Sequence, residues 1–321
     1  MLQCLRMNID VKTFKNTDKL YSPDAQQIAY KYAGVVVYNG EGKHNAWSEE
    51  AEEGRSFCDY LQICGKKYFV KYPTLGATRN INKTFNELFI SYLAGKLGLP
   101  CIDSKICIDK QLGAIGVISS HIGKHYLVSD LCVSMYKYCT YSVEKIVDEI
   151  VQNVEHRYVC EGDFLVDKEN LTYWLKVLSC FDFLTSQNDR HCGNMAVSVT
   201  SKDGRGVITF APILDNEDAF NLYDLYYPTY QLVPTSGEYG ISQRELISTD
   251  ENFNKFYKNF KRLVGEHNFA KTIAEFESIY GLGKICQLAG KGGKYSQIIK
   301  DVKSLIQNKI EYVDGYQNAK Q

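Results

Sequence analysis

Three side chains in one stretch carry oxygen atoms in a pattern that suits a hard cation. Asp189 and Asn194 lie five positions apart in the polar segment 187–194, which follows an apolar run. Asp215 stands at the end of a second apolar run, 208–214, one short hairpin later. Proteins usually hold Mg²⁺ with one or two carboxylates together with the phosphates of a substrate. The spacing therefore predicts an oxygen-rich site for a divalent ion on two neighbouring loops.

The Asp-x-x-x-x-Asn spacing is also that of the protein-kinase catalytic loop. There the Asp accepts a hydroxyl proton, the Asn binds a metal, and a later Asp binds the metals at the β- and γ-phosphates. The spacing alone is weak, because about one match is expected by chance in a chain of this length. The alternative is a surface turn rich in Asn and Asp, which bend chains without catalysis. The context favours a catalytic loop over a surface turn, since the segment lies between a predicted helix and a hairpin that ends at Asp215.

Length and composition limit the protein class. The chain has 321 residues, enough for two lobes, and its 45% hydrophobic and 23% charged residues are ordinary for a globular protein. A net charge of −1 predicts no direct binding to nucleic acid. No apolar stretch reaches the roughly 18 residues of a membrane span, and the N-terminus is too short and too polar for a signal peptide. Eleven cysteines without a Cys-x-x-Cys pair favour reduced thiols and a cytoplasmic location.

The first part of the chain predicts a small sheet with one helix. Strands are predicted at 34–39, 57–63, 67–72, 101–109 and 113–119, and a helix at 83–99. Lys71 lies in the third strand and Glu87 near the start of the helix. The two could form the Lys–Glu pair with which kinases orient phosphates. The alternatives are a Lys71 that faces water and a solvated Glu87 in the first helical turn, favoured by the helix dipole.

The rest of the chain is mainly helical. Helices are predicted at 141–156, 171–185, 252–264, 269–280 and 295–312, and a hairpin at 195–200 and 206–211. The glycine-rich segment 290–294 lacks the Ser or Thr of a phosphate-binding Walker motif and is interpreted as a linker. His121 and His125 have no obvious third ligand for a metal. The pattern predicts an α+β chain with a β-rich nucleotide-side lobe at 1–121 and a helical lobe with the catalytic loop at 122–321.

Four motifs occur in the order known from one kinase family. They are Tyr-Phe-Val-Lys71-Tyr-Pro, Asn86-Glu87 before an apolar helix, Gln-Asn-Asp189-Arg-His-Cys-Gly-Asn194, and Ala-Pro-Ile-Leu-Asp215-Asn. Together they resemble the HipA-like serine/threonine protein kinases, and the block around Asp189 is especially similar to the compact CtkA-like type. The resemblance covers roughly residues 57–225. It implies a two-lobed protein-kinase-like fold with a small β-rich N-terminal lobe and a helical C-terminal lobe.

The resemblance also implies a role for each matching residue. The activity would be transfer of a phosphoryl group from ATP, with Mg²⁺, to a Ser or Thr hydroxyl of a protein substrate. Asp189 would be the catalytic base, Asn194 and Asp215 the metal ligands, and Arg190 and His191 would shape the loop. On the nucleotide side, Lys71 would bind phosphate, Glu87 would orient Lys71, and the segment from Ser119 to His121 would contact adenine.

The phosphate-binding turn departs from the family pattern. The family has a glycine-rich turn roughly 20 to 30 residues before the lysine, and the candidates here are Gly40 and Gly42. An acidic run follows them and would repel a triphosphate. A nucleotide-binding pseudokinase or an interaction module without transfer activity is therefore an alternative, as is a kinase of a lipid or a small molecule. Some family members have an antitoxin partner, so an antitoxin-like or host-protein partner is also open.

Overall fold

The computed structural model describes ten parts of the chain. They are residues 31–38, 57–63, 66–72, 80–109, 114–132, 140–157, 164–220, 231–235, 240–288 and 290–320. Contacts divide the chain into two compact units. The first unit comprises Met1–Tyr92, Ile102–His121 and Ala270–Asp301, and the second comprises Leu93–Cys101, Ile122–Phe269 and Val302–Gln321. Because residues 93–101 belong to the second unit and 270–301 to the first, neither unit is one continuous segment of the chain.

A five-stranded sheet forms the first unit's β structure. Its strands are β1 (Val35–Tyr38), β2 (Phe57–Ile63), β3 (Lys66–Tyr72), β4 (Ser104–Asp109) and β5 (Ala114–Ser120). They lie in the order β1-β4-β5-β3-β2, and only the β1–β4 pair is parallel. Strand residues alternate between the two faces of a sheet. Val70 and Ile118 lie opposite each other on one face of β3 and β5, and both are buried.

The first helix, α1 (Asn80–Leu97), begins three residues earlier than predicted. Its apolar side chains recur every three or four residues, so Phe85, Leu88 and Phe89 are all fully buried. The helix ends where Gly98 takes a left-handed φ of 78°, a conformation that glycine adopts without steric cost. The early start places Glu87 in the third turn.

The second unit combines short strands with helices. Its elements are β6 (His125–Leu127), α2 (Val128–Leu131), β7 (Thr140–Ser142), α3 (Val143–Arg157), β8 (Phe164–Val166), α4 (Lys168–Thr185), β9 (Ala196–Lys202), β10 (Arg205–Phe210), β11 (Gln231–Val233), α5 (Gln243–Thr249) and α6 (Glu251–Val264). Four strands form a sheet in the order β6-β9-β10-β8, and β11 pairs in parallel with β7. Helices α3, α4 and α6 and the β9–β10 hairpin were predicted. The three-residue strands β6, β7, β8 and β11 and the short helices α2 and α5 were not, because they are too short to give a pattern, and residues 141–142 of β7 were predicted as helix.

Helix α4 leads the chain directly to the polar segment 187–194. The Asp167 side chain caps its N-terminus by accepting a hydrogen bond of 3.0 Å from the backbone N–H of Asn170. Its apolar residues are buried almost all round, as a helix inside a core requires. The helix ends at Ser186, whose φ of 50° is left-handed, and the N–H of Gln187 returns to the carbonyl of Asp182 at 2.9 Å. This closed end fixes the direction in which the loop leaves the helix.

The β9–β10 hairpin leads to the second loop. Its turn uses left-handed φ values at Asp203 and Gly204, which match the twist of a two-residue hairpin loop. After β10, the N–H of Ile213 donates to the carbonyl of Pro100 at 2.9 Å, and Cys101 and Ile213 form a parallel bridge. The backbone is therefore held two residues before Asp215.

The last three helices are α7 (Phe269–Tyr280), α8 (Leu282–Leu288) and α9 (Gly292–Lys320). Helix α7 has the predicted bounds. The linker interpretation of 290–294 is wrong for Gly292, Gly293 and Lys294, which form the first turn of α9. Buried Tyr295, whose hydroxyl donates to a Glu277 carboxylate oxygen, anchors this turn against α7. None of the helices in the described ranges is long and apolar enough to cross a membrane.

The aromatic rings of α1 and α7 predict a stability test. Phe276 is fully buried, and its ring lies 5.6 Å from that of Phe85 and 5.3 Å from that of Phe89. Because Phe276→Ala leaves a cavity in this cluster, we expect it to lower the free energy of unfolding by about 3–5 kcal/mol. Urea denaturation measures the change. Leu165→Ala, at a side chain that is 51% exposed, is the control, and an equal effect of both substitutions would contradict the assignment.

Candidate functional site

The loop after α4 brings Asp189 and Asn194 into contact. The amide nitrogen of Asn194 donates to the backbone carbonyl of Asp189 at 2.8 Å and to its carboxylate oxygen Oδ2 at 3.4 Å. A 3₁₀ turn at Cys192–Asn194 makes this possible, because the N–H of Asn194 returns to the carbonyl of His191 at 2.9 Å. The five-residue spacing thus folds into one compact turn that joins the two side chains.

The contact also orients the other end of the Asn194 amide. Its nitrogen is engaged by Asp189, so its oxygen Oδ1 points the opposite way, and no donor in the described ranges contacts that oxygen. An amide oxygen and the carboxylate of Asp215 are ligands of the type that Mg²⁺ prefers. The same ranges contain no group of three or more His, Cys, Asp or Glu side chains that could hold a metal, and His121 and His125 belong to no such group.

Arg190 connects this loop to the segment that carries Asp215. The side chain is 1% exposed. Its Nη1 donates to the carbonyl of Asn194 at 3.0 Å and to that of Leu214 at 2.7 Å, and its Nη2 donates to Oδ1 of Asn216 at 2.8 Å. One buried guanidinium therefore fixes the backbone on both sides of the site.

Asp182 on α4 holds Arg190 in place. The guanidinium donates from Nε to Oδ2 at 2.9 Å and from Nη2 to Oδ1 at 3.0 Å, which is a bidentate pair. Burial raises the pKa of the Asp182 carboxyl, and the charge and hydrogen bonds of Arg190 oppose this rise. The two donors fit an ionised carboxylate, because a proton on either oxygen would face an N–H group.

Gln187 connects the two aspartates through their backbones. Its Nε2 donates to the carbonyl of Asp215 at 3.1 Å, and its Oε1 accepts from the N–H of Asp189 at 3.2 Å. Asp215 has a left-handed φ of 55°, which is unusual for a residue with a Cβ. Such a conformation costs of order 1–3 kcal/mol, and the hydrogen bonds of Gln187 to Asp215 and of Arg190 to Leu214 help to offset that cost.

The electrostatic surroundings of Asp189 favour a cation. Burial raises the pKa of its carboxyl, His191 and Arg190 lower it, and the negative charges of Asp215 and Glu217 raise it. The Nε2 of His191 lies 3.9 Å from Oδ2 of Asp189, and its Nδ1 accepts a hydrogen bond from the N–H of Gly193 at 3.0 Å. A divalent ion beside these carboxylates would relieve their mutual repulsion.

The predicted nucleotide-binding residues within the described ranges lie in the first unit. Opposite residues on antiparallel strands share a face, so Lys71, opposite Val117, lies on the same face as Ser119. Ser119 is buried and its hydroxyl pairs with that of Ser104 at 3.0 Å. Lys71 is half-buried and His121 is exposed. Gly40 and Gly42 lie outside the described residues.

Glu87 does not occupy the first turn of a helix. It is 7% exposed in the third turn of α1, so the alternative of a solvated carboxylate supported by the helix dipole is wrong. A buried carboxylate is costly unless other groups compensate its charge. The burial therefore keeps Glu87 a candidate for orienting Lys71, and this role remains a prediction.

The sequence interpretation missed Asp182, Gln187 and Asn216. Asp182 could have been identified from the sequence, because an acid within the apolar run Phe181–Leu184 implies a buried charge that needs a partner. Gln187 and Asn216 stand within the quoted motifs, but no contact was predicted for them, since polar residues in loops are most often solvated. Their partners are set by the three-dimensional path of the chain.

Comparisons with known proteins show the fold. No protein-family model and no curated protein matches the chain. Among solved structures, the chain is similar to the proinflammatory kinase CtkA of Helicobacter pylori, with 12% identity, a TM-score of 0.50, and coverage of 89% of this chain and 98% of that one. It also matches a HipA, HipB and operator DNA complex of Shewanella oneidensis MR-1, with 12% identity, a TM-score of 0.44, and coverage of 88% and 68%. The similarity to CtkA confirms the predicted α+β class and the protein-kinase-like fold.

The buried Asp182–Arg190 pair predicts that removing the charge of Asp182 causes a large loss of stability. Asp182→Asn keeps the shape of the side chain but leaves the guanidinium charge without its counterion. We expect the free energy of unfolding to fall by about 3–5 kcal/mol, as when one partner of a buried pair is removed. Urea denaturation measures the loss. Asp167→Asn at the other end of α4 is the matched control, because Asn caps helices as well as Asp does. Equal stability of both variants would contradict the assignment.

Proposed function

We propose that this protein is an ATP- and Mg²⁺-dependent serine/threonine protein kinase. The observation that carries the proposal is the contact between the Asn194 amide and the Asp189 carboxylate, in a loop that Arg190 joins to the segment of Asp215. This arrangement occurs in a chain with a protein-kinase-like fold. A base, an amide oxygen and a second carboxylate are the parts that phosphoryl transfer from ATP requires.

In the proposed reaction, the oxygen of a Ser or Thr hydroxyl attacks the γ-phosphorus of ATP. The bond from that phosphorus to the bridging oxygen breaks, and ADP leaves with the bond's electron pair. The hydroxyl proton passes to a carboxylate oxygen of Asp189. The Asn194 amide, which donates to Oδ2, keeps the carboxylate in one orientation. Since the transfer needs mainly positioning and charge neutralisation, a short set of fixed groups is sufficient.

Asp215 and the Oδ1 of Asn194 would hold Mg²⁺. When bound, the ion supplies positive charge to the phosphates, which otherwise meet the carboxylates of Asp189, Asp215 and Glu217. In the first unit, Lys71 would bind phosphate with support from Glu87, and the segment of Ser119 and His121 would contact adenine. Gly40 and Gly42 stay candidates for phosphate contacts. The protein acceptor and an antitoxin-like or host-protein partner rest on the motif resemblance alone.

The proposed base predicts a separation of binding from transfer. Asp189→Asn keeps the hydrogen-bonding shape but cannot accept the proton, so we expect transfer of labelled γ-phosphate to fall by about 10²–10⁴-fold. Stabilisation by ATP with Mg²⁺, measured as a thermal shift, should persist.

Asp203→Asn in the β9–β10 turn is the matched control and should keep full transfer. Transfer at the wild-type rate by the Asp189 variant would show that the base is a different group. Binding of nucleotide by the wild-type chain without any transfer, over a range of protein, lipid and small-molecule acceptors, would favour a pseudokinase.

The proposed metal ligand Asn194 predicts that its removal raises the Mg²⁺ concentration required for transfer. Asn194→Ala removes one oxygen ligand and the group that orients Asp189. We expect the Mg²⁺ concentration for half-maximal transfer to rise by about tenfold or more, the scale on which losing a supporting group weakens metal sites. A Mg²⁺ titration at fixed ATP measures it, with Asn308→Ala on the exposed side of α9 as control. An unchanged Mg²⁺ requirement would remove Asn194 from the ligand set.

A further inference from the structure

A surface of the second unit combines two cations with aromatic rings. It consists of Phe183 near the end of α4, Arg244 on α5, and Lys309, Tyr312 and Tyr316 on α9, and we call it the basic–aromatic surface. The Arg244 guanidinium carbon lies 4.1 Å from the ring centre of Tyr316 and 4.5 Å from that of Tyr312. The Lys309 ammonium lies 4.5 Å from the ring centre of Phe183. Each cation therefore rests against the electron-rich face of a ring.

Neither cation has a carboxylate partner among the residues that the structure describes. In the described ranges, no Asp or Glu oxygen lies within ion-pair distance of Arg244 or Lys309. Burial lowers the pKa of the Lys309 ammonium, and no acidic group opposes this shift. The Nε of Arg244 is buried and has no hydrogen-bond acceptor in the same ranges. The surface thus carries two partly desolvated positive charges and a donor that lacks an acceptor.

A neighbouring pair shows how the same helix neutralises a different lysine. Lys261 lies 2.6 Å from a carboxylate oxygen of Asp314, which stands five residues after Lys309 on α9. The basic–aromatic surface has no equivalent acid, although Glu311 is exposed on an adjacent face of the helix. Tyr312 is 51% exposed, more than almost any other large apolar side chain in the described ranges. The surface is therefore accessible to solvent, and it combines apolar aromatic rings with positive charge.

We propose that the basic–aromatic surface docks an acidic segment of the protein substrate. That this segment belongs to a substrate rests on the proposed kinase function. That it is acidic is inferred from the positive charge of the surface. Carboxylates of the segment would supply the negative charge that pairs with Arg244 and Lys309, and its apolar groups would pack on Tyr312. Arg and Tyr are the residue types that most often anchor protein interfaces. Two cations in a chain of net charge −1 fit a short peptide better than a polyanionic nucleic acid.

The position of Phe183 brings this surface next to the candidate site. Asp182 and Phe183 are consecutive on the last turn of α4. Asp182 holds Arg190, while Phe183 contacts Lys309 and has its ring 6.2 Å from that of Tyr312. A segment docked here lies against the turn that supports the catalytic loop. Docking would raise the local concentration of an attached hydroxyl, which lowers KM and leaves kcat unchanged.

Direct binding to the 321-residue chain tests the proposal. The probe is a fluorescent octapeptide of six Glu with one Tyr and one Leu, and its counterpart has Gln in place of every Glu. We expect the Glu peptide to bind and the Gln peptide not to bind. Lys309→Gln should weaken binding by about threefold to fivefold, and the double variant with Arg244→Gln by about tenfold. Raising the salt concentration should weaken binding further, because these charges lie at the surface.

Matched variants distinguish a loss of peptide binding caused by the lost charge from one caused by misfolding. Lys303→Gln removes an exposed lysine from the same helix, and Tyr173→Ala removes a tyrosine that is 43% exposed elsewhere on the unit, so both should bind like the wild type. Arg244→Lys retains the charge and should bind better than Arg244→Gln. Equal binding by the Lys309 and Lys303 variants, equal affinity for the Gln peptide, or stronger binding of single-stranded DNA at the same residues would overturn the proposal.

The kinase and docking proposals fail in different ways. Peptide binding needs neither ATP nor Mg²⁺, so binding at this surface without transfer would leave the docking surface standing and remove its link to a substrate. If transfer occurs, an acceptor peptide with an acidic extension should have about a fivefold higher KM with Lys309→Gln, at unchanged kcat. The same acceptor without the extension should not respond. An equal response of both acceptors would overturn the docking role while the kinase function stands.

Discussion

The candidate site depends on one buried ion pair, between Arg190 and Asp182. Burying two charges is unfavourable unless their hydrogen bonds are complete. Arg190 has five N–H donors, and all five have acceptors: two go to the carboxylate of Asp182, two to the carbonyls of Asn194 and Leu214, and one to the side chain of Asn216. The hydrogen bonds compensate the cost of burying the two charges, and they connect helix α4 rigidly to two loops.

This connection supports an unusual backbone conformation beside Asp215. Ser186 and Asp215 both have left-handed φ values although neither is glycine. The conformation of Asp215 is held by its neighbours, since Leu214 is bonded to Arg190 and Asp215 itself to Gln187. A site whose polar groups are fixed before a ligand arrives needs little reorganisation when charge develops in a reaction. The same logic applies to Asn194, whose amide is committed to Asp189 through its nitrogen.

The sequence predicted the parts of this structure that are periodic or local. Helix α7 has its predicted bounds, and the β9–β10 hairpin forms around the predicted turn, because each depends on neighbouring residues. Asp189, Asn194 and Asp215 were found from spacing and resemblance, and their roles remain proposals. The hydrogen bonds of Arg190 were not predictable, since their acceptors lie 4 to 26 positions away in the chain. The helical start of α9 was missed for the same reason, because buried Tyr295 outweighs the low helix propensity of two glycines.

The complete use of the Arg190 donors has an evolutionary consequence. A lysine at this position would offer three donors to five acceptors and could not span the carboxylate in a planar fork. An uncharged residue would leave Asp182 as a lone buried anion. A substitution of Arg190 alone would leave both Asp182 and Asn216 without their partner, so we expect homologous chains that keep this loop to change the three positions together.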